Sequence, residues 1–453
     1  MPRSFGQCLH PSKIRAGNTK PFGSFIDLVG STPMLGVSSL VGKMKAFQQR
    51  QAVPEIFVKL ESTNPGWSVK ARPALHMIEQ AEKRGDITKD TVIIESSSGN
   101  TAIAIAMVSA MKGYHFKPVV DVKMPQGKLD LLRIFGADVQ LVGDPTIPAD
   151  EQNMVELKKE RRNTVARLVE ELGDRAYSPN QYANPDNAGS HVLTTGPELL
   201  EQLDGDIDAL IIPMSTGGQI DGIGRFIKEH LPSCTLIGAE PVGSTILSST
   251  EGDYYNAGSG LDYAPKPVER MLDDNLIDES WIVPDASSFK ASRMLTKTTG
   301  ALLGPTAGMQ VFAACALAIE RPEYKRIAMI GCDDGRAYVQ DTMAARRSGE
   351  LDSIDELEDE LHAYLEVRRR HEEKHFKKLK ADHTADHAPL VAEGMRVGAA
   401  GRVGAQTRRA YSTKAAPSPP AARAEGESLD APRCAREHET PSTNDKRASF
   451  EHF

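Results

Sequence analysis

The sequence predicts an α/β protein whose mostly parallel sheets are flanked by helices. Short apolar runs alternate with longer stretches of helical periodicity between Ile56 and Tyr338. Strands alternating with helices of about 10–15 residues form βαβ units, which lie parallel in a sheet. Two loops rich in glycine, hydroxyl and amide groups directly follow two of the apolar runs, and open parallel sheets hold their ligands at that end of the strand. A hydrophobic share of 40% over 453 residues supplies the core such layers require.

In chain order, the apolar run 56–60 reads as a strand and the periodic stretch 71–84 as the helix that follows. A strand over 92–95 leads into a helix over 101–112, and a strand over 118–123 into a helix over 128–135. A strand over 139–142 precedes a helix over 155–171, and one helix is expected over 188–203. The run 209–213 feeds a helix over 219–229, 235–240 is a further strand, and 281–283 precedes a helix over 289–298. A helix over 307–319 leads to the last strand, 326–331. The short apolar runs mark the strands, and a period near 3.6 marks the helices.

The folded region is expected over 26–346, with a smaller subdomain at about 60–150 inserted in a larger one. Residues 347–380 are acidic first and basic later, with Leu357, Leu361 and Leu365 as single apolar positions, which predicts a charged surface helix. From 381 to 453 the chain is rich in Ala, Gly, Pro, Ser and Arg. Such a stretch buries too little apolar area to offset backbone ordering and is expected to be disordered. Residues 1–25 carry Arg3, Lys13, Arg15 and Lys20 without an acid, and are interrupted by Pro11 and Pro21. They lack the apolar core of a secretory signal, and read as a disordered leader or a mitochondrial targeting segment.

Composition excludes several classes of function. A net charge of −8 gives no basic surface for nucleic acid, and no apolar run reaches the ~18 residues of a membrane span. Cys8, Cys234, Cys315, Cys332 and Cys434 are scattered, with no CxxC pair, which fits free thiols in the cytoplasm and no structural metal. His371-Glu372-Glu373-Lys374-His375 matches the H-E-x-x-H zinc pattern. Its flanks, Arg368-Arg369-Arg370 and Phe376-Lys377-Lys378, leave that helix charged on nearly all sides, so no metal site is expected there.

Three distant segments together read as one cofactor site. Asn64-Pro65-Gly66-Trp67-Ser68-Val69-Lys70 offers a lysine in a tight turn. Ser96-Ser97-Ser98-Gly99-Asn100-Thr101 offers hydroxyls and amides, and Ser215-Thr216-Gly217-Gly218-Gln219 a glycine-rich loop before a helix. A phosphate requires backbone N–H donors at a helix start and glycines that permit close approach. A Schiff-base cofactor requires an amine, and a lysine serves when burial or nearby cations lower its pKa. Trp67, Val69 and Pro73 are the expected desolvating neighbours, with Arg72 close in sequence.

From about Ile26 to Met343 the chain resembles the fold-type II pyridoxal-phosphate enzymes of the cysteine synthase and cystathionine β-synthase family. The likeness also runs through Leu28-Val29-Gly30-Ser31-Thr32-Pro33, Asn180-Gln181-Tyr182-Ala183-Asn184-Pro185, His191 and Thr194-Thr195-Gly196-Pro197-Glu198. The wording Ile94-Glu95-Ser96-Ser97-Ser98-Gly99-Asn100 is similar to the siderophore-type synthases that make diaminopropionate precursors. The resemblance implies a two-domain, tryptophan-synthase-β-like fold and a homodimer. It implies Lys70 as the Schiff-base lysine, Asn100 at the cofactor's 3′-oxygen and Thr306, in Gly304-Pro305-Thr306-Ala307-Gly308, at the pyridine nitrogen. By the same likeness Ser97, Ser98, Thr101 and Gln181 grip the substrate carboxylate, and Gly258-Ser259-Gly260 is a further loop near the cofactor. Ser215 and Gln219 depart from the family's usual glycine and hydroxyl residues in the phosphate loop.

The expected activity is β-substitution on O-acetyl- or O-phospho-L-serine through an α-aminoacrylate, with small amino acids as substrates. The nucleophile stays open between an amino-acid amine and sulfide. Dehydratase-like elimination and a degenerate, partner-binding member are the alternatives.

Overall fold

The computed structural model describes residues 21–50, 52–249, 251–344 and 353–370, together with Phe376, Leu379 and Lys380. Residues 1–20 of the 1–25 leader, the His371–His375 pattern and the tail over 381–453 lie outside the described residues.

The chain opens with β1 (Met34–Gly36), α1 (Lys45–Gln48) and β2 (Glu55–Leu60), then α2 (Ala71–Arg84). Next come β3 (Val92–Ser96), α3 (Asn100–Lys112), β4 (His115–Asp121), α4 (Gln126–Ile134), β5 (Gln140–Val142), α5 (Met154–Leu172) and β6 (Ala176–Tyr177). α6 (Pro185–Leu193) and α7 (Thr195–Gln202) precede β7 (Ala209–Pro213), α8 (Gly218–His230), β8 (Thr235–Pro241), α9 (Lys266–Asp273) and β9 (Glu279–Val283). α10 (Asp285–Thr299), α11 (Pro305–Glu320), β10 (Arg326–Gly331), α12 (Val339–Ala344) and α13 (Ile354–Arg370) follow.

The strands form two sheets, ordered β1-β2-β10-β7-β8-β9 and β5-β4-β3-β6. Every pairing is parallel except β1 with β2. The chain therefore leaves the larger sheet after β2, builds the smaller one, and returns at β7. All five residues of β7 are buried, as expected for a strand covered by helices on both faces. α11 is buried from Pro305 to Ala318; a helix apolar all round belongs in a core rather than at a surface.

One expectation is corrected. The single helix over 188–203 is broken at Thr194, whose φ of −129° and ψ of −67° leave the helical region. Its hydroxyl donates to Ser190 O at 2.6 Å, and α7 starts afresh at Thr195. The charged helix expected over 347–380 is described over Ile354–Arg370, and it packs one apolar face inward. Leu357, Leu361, Tyr364 and Leu365 of α13 join the core formed with α10 and α11. Arg368 is 2% exposed, stacked 3.9 Å above the Trp281 ring and paired with Glu279 and Glu320. None of the described helices is long and apolar enough to cross a membrane.

Candidate active site

Lys70 caps α2 at the end of a reversal in which Gly66 and Trp67 both take positive φ, 75° and 58°. Such a pair folds the backbone back tightly, and a bulky residue rarely accepts that conformation. The loop after β10 holds the turn in place: Val69 N–H donates to Cys332 O at 2.7 Å, and Asp334 N–H to Trp67 O at 3.2 Å. Burial lowers the Lys70 pKa, with Cys332 and Asp333 opposing the shift. Of the expected desolvating neighbours, Val69 and Pro73 are buried and Trp67 is 40% exposed. Arg72 turns away instead, its guanidinium bonded to Glu61 Oε2 and Glu198 Oε1 at 2.7 Å each.

A cleft of about 810 Å³ opens over Lys70, and the three distant segments meet there. Ser97, Ser98, Asn100 and Thr101 line it from the start of α3, and Ser215, Thr216, Gly217 and Gln219 from the start of α8. Gln181 and Thr306 complete the expected set. Gly218 stands behind the wall, where a Cβ would come within 2.4 Å of Asn187 Cγ. Gly217, with φ of 83°, has Val268 Cγ2 only 2.9 Å from where its Cβ would stand. Both positions exclude a side chain, so the loop stays at backbone height.

Several of these groups already have partners. Asn100 Nδ2 donates to Asp333 Oδ2 at 2.7 Å, and Tyr338 OH donates to the same oxygen at 2.6 Å. Thr101 Oγ1 donates to Gln181 Oε1 at 2.7 Å, which orients that amide with its NH2 group available to donate. The Ser98 hydroxyl donates to Asp121 Oδ2 at 2.7 Å and also meets Arg161 on α5. Gln219 exchanges long contacts with Cys332 Sγ, 3.7 and 3.8 Å. Thr306 Oγ1 donates to Ala257 O at 3.0 Å, beside the Gly258–Gly260 loop that also lines the cleft.

Sequence reasoning missed Cys332, Asp333 and Tyr338. All three follow the carboxyl end of β10, the same position that singled out the other two loops, so the rule that found those could have found these. Asp121, at the carboxyl end of β4, was open to the same rule, whereas Arg161 lies inside α5 and joins the cleft lining 3.1 Å from Asp121, where no strand end points to it.

Residues 26–333 match the family model described as pyridoxal-phosphate dependent enzyme. The chain belongs to that family. It is 34% identical over 322 residues to a cysteine synthase of Staphylococcus aureus, covering 71% of this chain and 96% of the relative. A solved O-acetylserine dependent cystathionine β-synthase from Helicobacter pylori is 29% identical, with a TM-score of 0.62, over 71% of this chain and 98% of that one. A solved O-ureido-L-serine synthase is 27% identical, with a TM-score of 0.63, over 74% and 98%. This protein is thus a pyridoxal-phosphate-dependent enzyme of the cysteine synthase type, and its two-sheet α/β fold is that of the fold-type II enzymes.

Proposed function

We propose that the enzyme performs β-substitution on an activated L-serine, its O-acetyl or O-phospho ester, with an amine or another unusual nucleophile of specialised metabolism. An amino-acid amine as nucleophile would give a diaminopropionate precursor. The observation that carries the reading is the setting of Lys70, a desolvated amine in a cleft shared with the starts of two thirteen-residue helices, α3 and α8. Helix starts attract anions, and the substrate and cofactor each carry one. The likeness to a synthase named for a serine derivative other than cysteine supports the choice of nucleophile. The likeness to cysteine synthase supports sulfide as the second reading.

The cleft suits pyridoxal phosphate, since the Gly217 turn has no room for a side chain and burial lowers the Lys70 pKa despite the nearby Asp333. The bound cofactor supplies an aldehyde for an amine and a ring that stabilises negative charge at the substrate Cα. Lys70 Nζ would hold the cofactor and would be the base for the substrate Cα proton; burial favours the neutral amine this requires. Such general-base work contributes about 10²–10⁴-fold. Ser215, Thr216, Gly217, Gly218 and Gln219 bind the phosphate, chiefly through backbone N–H groups. Asn100, pinned by Asp333, would hold the 3′-oxygen, and the neutral Thr306 hydroxyl would serve the pyridine nitrogen. Ser97, Thr101 and the free NH2 of Gln181 bind the substrate carboxylate, with Ser98 contributing its N–H.

Borohydride reduction of the holoenzyme should leave a pyridoxyl group on the peptide containing Lys70. Lys70→Ala should lose both that label and turnover; a variant that keeps full turnover refutes the reading. Mass spectrometry of products from O-acetylserine and O-phosphoserine, offered sulfide and amino acids in turn, identifies the nucleophile. Keto-acid release with no nucleophile present would instead mark elimination. The reading includes a homodimer, which sedimentation checks.

A further inference from the structure

We propose that Glu95 is a positioning residue that clasps together the two loops around the substrate carboxylate and takes up a proton when an amino acid binds. It rests on the carboxylate lying between Ser97–Thr101 and Gln181.

Glu95 stands at the carboxyl end of β3, directly before the Ser96–Asn100 loop, and is 3% exposed. Its Oε1 accepts the Ser96 N–H at 2.9 Å. The amides of Asn180 and Gln181 face the same carboxyl from the loop before α6. Oε2 is buried with no partner at hydrogen-bond distance. One carboxyl therefore touches both loops, which Thr101 and Gln181 join a second time at 2.7 Å.

Among the described residues no lysine or arginine pairs with Glu95, and its neighbour across the sheet is Pro118 of β4. The ionisable group facing it is Tyr182, from the loop that carries Gln181. Beyond Tyr182 lie Tyr254, Tyr263 and Arg161, and Arg161 is paired with Asp121. A buried carboxyl with no cation beside it holds its proton tightly, and burial pushes Glu95 up to about 7 against the hydrogen bonds from Ser96, Gln181 and Asn180.

A substrate carboxylate entering these loops competes with Glu95 for the same N–H donors. Two anions in one desolvated cup repel, and a proton from solvent on Oε2 removes one of the charges. Substrate binding and protonation of Glu95 are then linked, each favouring the other. The proton stays on Glu95 and takes no part in the bond chemistry, which keeps its effect on KM rather than on kcat.

The test compares the pH dependence of KM and kcat for O-acetylserine in wild-type, Glu95→Gln, Ser97→Ala and Gln181→Ala holoenzymes. In the wild type KM should rise above pH ~7, by up to about tenfold per pH unit. In Glu95→Gln that inflection should vanish and KM should stay at its low-pH value, while the changes owed to Lys70 and to the substrate amine persist. Calorimetry of L-serine binding in buffers of different ionisation enthalpy should show proton uptake that grows above pH ~7 in the wild type, by up to about one proton per site, and that increment should be missing in Glu95→Gln. Should Glu95→Gln fail to fold, the wild-type calorimetry alone decides, and absent proton uptake overturns the proposal. If Ser97→Ala and Gln181→Ala raise KM but Glu95→Gln keeps the wild-type inflection, the role of Glu95 is refuted while the carboxylate site stands. If both controls leave KM unchanged, the carboxylate site falls and the role of Glu95 with it.

Discussion

Asn100 and Asp333, 233 positions apart in sequence, are joined by a 2.7 Å hydrogen bond at the mouths of two different sheets. Asp333 is 4% exposed, and burial raises its pKa despite the bonds from Tyr338 and Asn100. Replacing it by alanine strands the buried Tyr338 hydroxyl, a loss of about 1–3 kcal/mol, and frees the half-buried Asn100 amide. Asp333→Ala should therefore lower stability to urea and, by releasing the Asn100 amide, weaken cofactor affinity by about tenfold, or ~1.4 kcal/mol. Equilibrium dialysis against pyridoxal phosphate measures the second effect.

Arg72 ties three distant motifs into one buried cluster. It bonds Glu61 and Glu198, Thr32 Oγ1 donates to Glu61 Oε1 at 2.7 Å, and Lys59 pairs with Glu198 at 2.7 Å. Removing one member of a buried pair leaves an uncompensated charge and destabilises by about 3–5 kcal/mol. Arg72→Met should lose stability of that order in apo and holo protein alike, measured by denaturant unfolding.

The same cluster predicts an acid limb of stability. Burial opposes ionisation of Glu198, but the Arg72 hydrogen bonds and charge prevail, with help from Lys59, and lower it from 4.5 to about 2. A carboxyl whose pKa falls on folding stabilises fully above its unfolded pKa and loses that contribution as pH drops. Stability should decline from about pH 4.5 towards pH 2, and Glu198→Gln should flatten that decline in thermal melts taken across the range.

Gly218→Ala places a methyl within 2.4 Å of Asn187. Asn187 also donates to Gln181 O at 2.8 Å, so a displaced Asn187 disturbs both the phosphate loop and the carboxylate loop. Overpacking of this kind is worth about 1–3 kcal/mol. The variant should bind cofactor at least tenfold more weakly and show a raised KM for the amino acid substrate, both read from cofactor absorbance titrations.

α13 gives a further test. Leu361 is fully buried against the α10 and α11 layer, and truncating such a residue costs about 2–5 kcal/mol. Leu361→Ala should lower the unfolding free energy by that amount, read from denaturant unfolding, while leaving KM for substrate unchanged.

Much of this architecture was legible along the chain. The strand 209–213 and the helix 71–84 occupy the residues that their apolar patterns assigned, because each pattern is long enough to specify one conformation locally. β1, with three residues, and β6, with two, escaped notice: such strands are held by their partners across the sheet and have too few residues to show a period. α9, with eight residues between loops, escaped for the same reason of length.

Chemistry divides along the same line. The order of residues already named the lysine, the glycine turn and the hydroxyl-rich loop, since each is a contiguous segment whose local conformation makes its donors available. The partners that orient them are contacts between segments far apart in sequence: Asp333 holding Asn100, Glu61 and Glu198 drawing Arg72 away from Lys70, and Glu95 facing Gln181. Such contacts, and the desolvation that shifts each pKa, depend on how helices and sheets converge in space, and no local pattern in the chain encodes a distance.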